Sequence, residues 1–448
     1  MENLYSLGAA AAAKAIRDGD ITSVQLVEAC LKRIEEFEPT VQAWTHLDAE
    51  NALNQAKVAD KLHYDGAAQG PLNGVPVGIK DIFDTEDFPT EHGSPIHAGR
   101  RTMNDASAVA QLRQAGAVVI GKTVTTEFAV YAPGKTTNPH DATRTPGGSS
   151  SGSAAAVASY MVPLALGSQT NGSTIRPASF CGVVGYKPSF GLISRSGALR
   201  QSPPLDQVGV FARSVEDAAI MAETMMSFDG ADSDMRPSAR PHLHDIAMSA
   251  PPMPPKVGFL KSPAWDQADA ETQAAFAEMA DFLGDRCDEV EIGEVYDETF
   301  ELQRVIMEAD LAKNFAYDFG RVPEKFSTTL TEMIVRGQSV TAVEYNIAIE
   351  RQRELERGLD QLMTEYDAIL TPSTAGEAPV GLDATGSPAF CTLWTYTGMP
   401  AITLPLMQGG AGMPLGVQLV GKKGDDARLL RTAVWLDDYI EQSDAEAA

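Results

Sequence analysis

Pro146-Gly-Gly-Ser-Ser-Ser-Gly-Ser-Ala-Ala-Ala156 and Leu166-Gly-Ser-Gln-Thr-Asn-Gly-Ser-Thr-Ile-Arg176 are two small-residue loops, each carrying serines, on either side of an apolar segment. Gly147, Gly148 and Gly152 permit backbone geometries that a Cβ would forbid, so the chain can approach a ligand closely. Thr170-Asn171-Gly172-Ser173 reads as a second such turn, able to aim successive backbone N–H groups at one spot. Acyl transfer needs a hydroxyl nucleophile beside converging N–H donors, because the oxyanion forms next to the attacked carbon. Gly/Ser-rich composition also describes flexible linkers. The runs Ala154–Ala158 and Val162–Leu166 argue against that, since they are core-like.

Upstream, Pro71-Leu-Asn-Gly-Val-Pro-Val-Gly-Ile-Lys80-Asp-Ile-Phe83 alternates Val75, Val77 and Ile79 as a strand does, with Lys80 next in line. Lys80 has apolar residues on both sides. Two readings are open on the residues alone: a snorkelling surface lysine, or a buried amine whose pKa is depressed until it can act as a base. Before it, residues 6–17 and 22–37 read as helices, with a Thr22/Gln25 capping box. Val24, Val27, Leu31 and Ile34 form a buried stripe, and Pro39 falls just beyond the expected end. Residues 49–61 read as a third helix.

Two pattern matches mislead. Gly116-Ala-Val-Val-Ile-Gly-Lys122-Thr123 fits the nucleotide P-loop expression, yet its intervening residues read as a strand, and no helix opens at the lysine. Gly148-Ser-Ser150-Ser-Gly152 fits the nucleophile elbow. An elbow follows a strand, whereas residues 138–146 read as loop, and the only later histidines, His242 and His244, lie in a proline-rich stretch.

Further along, residues 107–114 read as a helix, 117–120 as a strand and 214–226 as a helix. Residues 229–255, with Asp229, Asp232 and Asp234 close together and six prolines, read as an exposed excursion. A strand is expected at 256–260, helices at 268–284, 296–319 and 341–365 (the last as a solvated surface helix), and late strands near 367–372, 401–406 and 415–421. No His/Cys/Asp cluster has metal-ligand spacing.

A hydrophobic fraction of 44% with 21% charged residues allows a large core. The net charge of −26 disfavours nucleic acid and anionic membrane as partners. Four scattered cysteines without a CxxC pair suit a reducing cytoplasm. The N-terminal stretch, with Glu2 and the run Ala9–Ala13, lacks the basic and apolar regions of a signal peptide, and no long apolar run suggests a membrane span.

Lys80 in Gly-Ile-Lys-Asp and the two serine loops, in this order, together resemble the amidase signature family, and the likeness extends over almost the whole chain. The resemblance implies one α/β/α domain, residues 1–448, around a large mixed sheet. It implies a Ser-Ser-Lys triad with Ser173 as nucleophile, Ser149 as a bridging serine on a cis peptide, and Lys80 as base. The oxyanion hole falls to the backbone N–H groups of Thr170, Asn171, Gly172 and Ser173. The implied reaction is hydrolysis of a C–N bond other than a peptide bond, in a small-molecule amide or carbamate, with no metal or cofactor; many members are homodimers. A rival within the family is the amidotransferase subunit working on charged tRNA, and a rival outside it is a binding protein on an inactive amidase scaffold.

Two departures stand out. The family usually reads Asp-x-Gly-Gly-Ser at the nucleophile, and this chain reads Gln169-Thr-Asn171-Gly-Ser173. Arg176 stands one position later than in the common pattern, and two roles are open to it: a fork onto a substrate carboxylate or carbonyl, or a structural pairing. Asn171 is expected to narrow the pocket or add a donor, and to tolerate left-handed backbone if the turn requires it. Phe128–Tyr131 and Phe390–Tyr396, including Trp394, are candidate pocket walls.

Overall fold

The computed structural model describes residues 3–68 and 70–447; Met1 and Glu2 of the N-terminal stretch, Gln69 and Ala448 lie outside them. Eleven strands form one sheet: β1 Trp44–Leu47, β2 Pro76–Lys80, β3 Val118–Thr123, β4 Leu164–Gln169, β5 Val184–Lys187, β6 Gln207–Ala212, β7 Val257–Leu260, β8 Cys287–Val290, β9 Ala368–Pro372, β10 Ala401–Gln408 and β11 Pro414–Val420. Their order is β1-β3-β2-β4-β6-β5-β10-β11-β9-β7-β8. The sheet is mixed: β2 runs parallel to both β3 and β4, while β4, β6, β5, β10, β11 and β9 are successively antiparallel. Every residue of β2, β3, β4 and β6 is buried, as expected where helices cover both faces.

β2 and β4 place the chemistry. Their parallel register sets Ile79 beside Leu166, so Lys80 at the end of β2 lies alongside Gly167 and Ser168 near the end of β4. Adjacent parallel strands in an open sheet offer a crevice beyond their carboxyl ends. Between the two serine loops, the helix Ser151–Ala158 is buried on all sides except at Ala158. Such a helix tolerates only small residues. An added Cβ at Gly152 would come 2.2 Å from the Ala43 carbonyl oxygen and 2.4 Å from Val124 N.

Several expectations shift. The second helix runs through Pro39 to Val41; the Glu38 carboxylate then accepts from the N–H groups of Ala43 and Trp44, tying the exit into β1. Its Thr22/Gln25 capping box is present. The expected helix at 296–319 is two, Thr299–Asn314 and Ala316–Arg321. Ala342–Glu365 is not simply solvated: Ala348, Leu355, Leu359 and Met363 are buried along one face. Within 229–255 the helix Leu243–Ala247 buries Leu243 and Ala247. Asp232 pairs with Arg195 at 2.6 Å, so the segment is anchored to the body of the protein, although Pro237, Pro252 and Pro254 are exposed. No helix among the described residues is long and apolar enough to cross a membrane.

Candidate active site

Lys80 is 0% exposed. Its Nζ lies 2.7 Å from Ser149 Oγ and 2.8 Å from Ser168 Oγ, and no carboxylate of the described residues comes within ion-pairing distance. Burial holds its pKa well below the ordinary lysine value, with the more distant Asp206 charge opposing. A neutral amine has one lone pair and two N–H bonds. Donating an N–H to Ser168 leaves the lone pair free to accept from Ser149. Ser168 was not singled out in the sequence; its signal was its place two residues past the Leu166 that pairs with Ile79.

Ser149 follows a cis peptide bond from Gly148. Both carbonyls of this turn are held from outside it. The Ser149 carbonyl accepts from Thr126 N at 3.1 Å, and the Gly148 carbonyl from Arg176 at 2.6 Å. Arg176 is 1% exposed and also donates to the Gly386 carbonyl and Thr385 Oγ1. Its terminal nitrogens are occupied by protein oxygens, so the geometry supports a structural role over a fork onto substrate. The buried Gly148–Ser149 turn leaves no room for a side chain at Gly148, where a Cβ would meet Thr126 and Thr385 at 2.9 Å.

Ser173 ends the second loop, 8% exposed, and its hydroxyl makes no hydrogen bond to another described residue. None joins it to Ser149. The turn before it holds the more informative feature. The N–H groups of Thr170, Asn171, Gly172 and Ser173 donate to no acceptor among the described residues, whereas the next two, from Thr174 and Ile175, are taken by Gln169 Oε1 at 2.8 and 3.0 Å. More than nine in ten buried backbone N–H groups in native proteins are paired. Four successive ones left without a protein acceptor in a buried turn are of the kind that an anion or oxyanion can use. Thr170 Oγ1 sits 2.6 Å from Gln201 Oε1 and 2.7 Å from Asp206 Oδ1; its single proton serves one at a time. Asp206 also accepts from the N–H groups of Gln201 and Ser202.

The aromatic stretches divide. Phe128 is fully buried against Phe315 and Phe326, and Trp394 and Tyr396 are core residues. Tyr131 does reach the site, its hydroxyl accepting from Asn171 Nδ2 at 3.1 Å. From the helix Ala389–Tyr396 it is Thr392 and Thr395 that hydrogen-bond Asn171.

Both misleading motifs resolve. Lys122 lies within β3, buried and 3.1 Å from Asp81, so it is a paired structural cation. Ser150 Oγ bonds to the Ser168 backbone, while His244 pairs with Glu216 on the periphery. No group of His, Cys, Asp and Glu able to hold a metal occurs among the described residues.

A buried lysine without a counter-ion, bonded to a serine and next to a turn of unspent N–H groups at the carboxyl ends of β2 and β4, is an arrangement found on an α/β fold of the kind that enzymes use. The chain belongs to the Amidase family, whose model matches residues 25–430. It is 33% identical over 475 aligned residues, 96% of each chain, to a glutamyl-tRNA(Gln) amidotransferase subunit of Chloroflexus aurantiacus. Among solved structures it resembles a vestigial protein complex tied to the origins of an s-triazine catabolic enzyme (TM-score 0.90, 28% identity, covering 97% of this chain and 98% of the other). It also resembles the peptide amidase of Stenotrophomonas maltophilia (TM-score 0.84, 27% identity, 97% of both chains). The mixed-sheet fold and an enzyme acting on C–N bonds follow from that membership.

Proposed function

We propose that this protein hydrolyses a small-molecule amide, or a carbamate or urea-type relative, through an acyl-enzyme on Ser173. Neutral Lys80 accepts the Ser149 proton while Ser149 accepts that of Ser173, whose oxygen attacks the carbonyl carbon. The oxyanion is received by the N–H groups of residues 170–173. The same relay returns a proton to the departing nitrogen, and water, deprotonated by it in turn, releases the acid and regenerates Ser173. The observation that carries this reading is the Lys80–Ser149 bond beside four unspent N–H groups. All three triad positions are filled, which speaks against an inactive binding scaffold.

A fluorophosphonate probe followed by peptide mass spectrometry tests the assignment. The adduct is expected on Ser173 and is expected to vanish in Ser173→Ala with the fold intact; an adduct on Ser149 or Ser150 would refute it. A panel of small and aryl amides, carbamates, ureas, esters and C-terminal peptide amides then fixes the substrate class. The peptide amides belong in the panel because a peptide amidase is among the similar structures.

A second reading, an amidotransferase component, is favoured by the name of the Chloroflexus relative. Against direct contact with tRNA stands the net charge of −26. Co-purification with a tRNA-binding partner, together with glutamine-dependent transfer of ammonia, would decide for it.

A further inference from the structure

The family's usual glycine two residues before the nucleophile is replaced here by Asn171, and its backbone does not explain the choice. Asn171 is absent from the left-handed residues of the chain, so no special φ calls for Asn or Gly. What the position does use is the side chain. Asn171 is 7% exposed, and its amide is bonded at both ends to different walls of the site. On one side Nδ2 lies 3.1 Å from Tyr131 Oη, on the loop after β3. On the other Oδ1 lies 2.9 Å from Thr392 Oγ1, on the helix Ala389–Tyr396. Each hydroxyl can donate or accept, so the bridge survives either orientation of the amide.

The Asn171 backbone is held as well. Thr395 Oγ1 donates to the Asn171 carbonyl at 2.5 Å and accepts from Gln169 Nε2 at 2.8 Å. Gln169 has no freedom to flip, since its Oε1 already takes the N–H groups of Thr174 and Ile175. The carboxylate usual in the family at this position could accept those two N–H groups but could not donate to Thr395. With the amide in place, the Thr395 proton is directed at the Asn171 carbonyl. Pro388, which caps the start of the same helix, presses directly on the turn, for a Cβ added at Gly172 would come 2.9 Å from Pro388 Cβ.

We propose that the Asn171 side chain is a positioning residue that ties the oxyanion turn to both flanking walls, with Gln169 and Thr395 fixing the same turn from behind. The proposal rests on Ser173 being the nucleophile. The unspent N–H groups have no acceptor of their own to hold them in convergence, and the bridge supplies that restraint. Misplacement by a fraction of an ångström costs rate while leaving binding largely alone, because the oxyanion exists only in the transition state.

The test uses 4-nitrophenyl acetate turnover on the intact chain, with acylation shown to limit the rate and fluorophosphonate labelling in parallel. Asn171→Ala and Thr392→Val are each expected to lower kcat about tenfold with KM within about twofold. The double variant should be little worse than the poorer single one, since both cut one bridge. Thr392→Ser, which keeps the hydroxyl, should restore most of the rate. Circular dichroism checks each fold, and Thr392→Val carries the test if Asn171→Ala does not fold. Unchanged kcat in a folded variant, a loss confined to KM, or no rescue by Thr392→Ser would overturn the proposal. Labelling of the parent at a residue other than Ser173 would instead refute the reading of the site on which it rests.

Discussion

Lys80 Nζ and Ser149 Oγ are 2.7 Å apart, at positions 69 residues distant in sequence, and no carboxylate neutralises the lysine. Lys122 supplies the contrast. It is as deeply buried but faces Asp81 at 3.1 Å. A buried ammonium without a counter-ion is costly, and the group relieves that cost by losing its proton. Burial therefore holds the pKa of Lys80 well below the ordinary lysine value, which favours the neutral amine; at Lys122 burial also lowers the pKa, but the adjacent Asp81 charge opposes it at ion-pair distance.

Activity is expected to rise with pH as Lys80 loses its proton, and to level off well below the ordinary lysine range. The sign follows from a base that works only when neutral, and the position from burial lowering its pKa. A kcat/KM profile measured where chemistry limits turnover checks this. A rate flat from mildly acid to mildly alkaline pH, or one still climbing through the ordinary lysine range, would count against Lys80 as that base.

Lys80→Ala is expected to depress amide hydrolysis far more than hydrolysis of an activated aryl ester with the same acyl group. An amine must be protonated as its bond breaks, whereas a phenolate leaves without a proton. In the proposed relay Lys80 serves both attack and departure through Ser149, and each role is typically worth about 10²–10⁴-fold. The amide loses both contributions and the ester only the first. The measurement is kcat/KM on the matched pair, for parent and variant; equal losses would break the relay.

Much of the fold and site was legible because the signals were local. Val75, Val77 and Ile79 alternate into Lys80, and the two serine loops carry glycines where the backbone must pass close to its neighbours. What escaped reading lacked a local signal. The helix Ala389–Tyr396 is buried throughout, so it has no polar face and no helical period, and its aromatics drew the eye while Thr392 and Thr395 make the contacts. Ile175–Cys181 is short and contains Pro177 in its first turn, where proline is tolerated. The partners of Arg176 lie on Gly386, Thr385 and Gly148, two of them some two hundred positions away, and a long-range pairing of that kind leaves no trace in spacing.

Gly152→Ala should destabilise the protein by about 1–3 kcal/mol, the usual cost of forcing volume into a packed site. Its Cβ would strike backbone atoms at Ala43 and Val124, which cannot swing aside as a side chain would. Gly152 N also donates to the Val124 carbonyl at 3.0 Å, so relief by moving the helix start would break that bond and shift Ser149. A lowered denaturation midpoint together with slower fluorophosphonate labelling is the expected pair of results. An unchanged midpoint would mean that the helix Ser151–Ala158 is less firmly seated than its contacts indicate.

Asp206→Asn should move the acid limb of the pH–rate profile to lower pH. Asp206 is the one charge acting on Lys80 against burial, and it favours the ammonium. The carboxylate accepts two backbone N–H groups and faces Thr170, an arrangement suited to the ionised form even though burial raises its pKa. Asparagine keeps the shape and can still accept from the backbone, but it removes the charge. Lys80 then holds its proton less tightly, so the neutral amine persists further into acid. The plateau rate is free to fall, because Thr170 belongs to the turn proposed to receive the oxyanion and its hydroxyl meets a different partner in the variant. The position of the limb is the decisive readout, since a purely structural role for Asp206 would change the height of the profile and leave the limb in place. A limb that stays put, or moves toward alkaline pH, would mean that Asp206 does not set the proton affinity of Lys80.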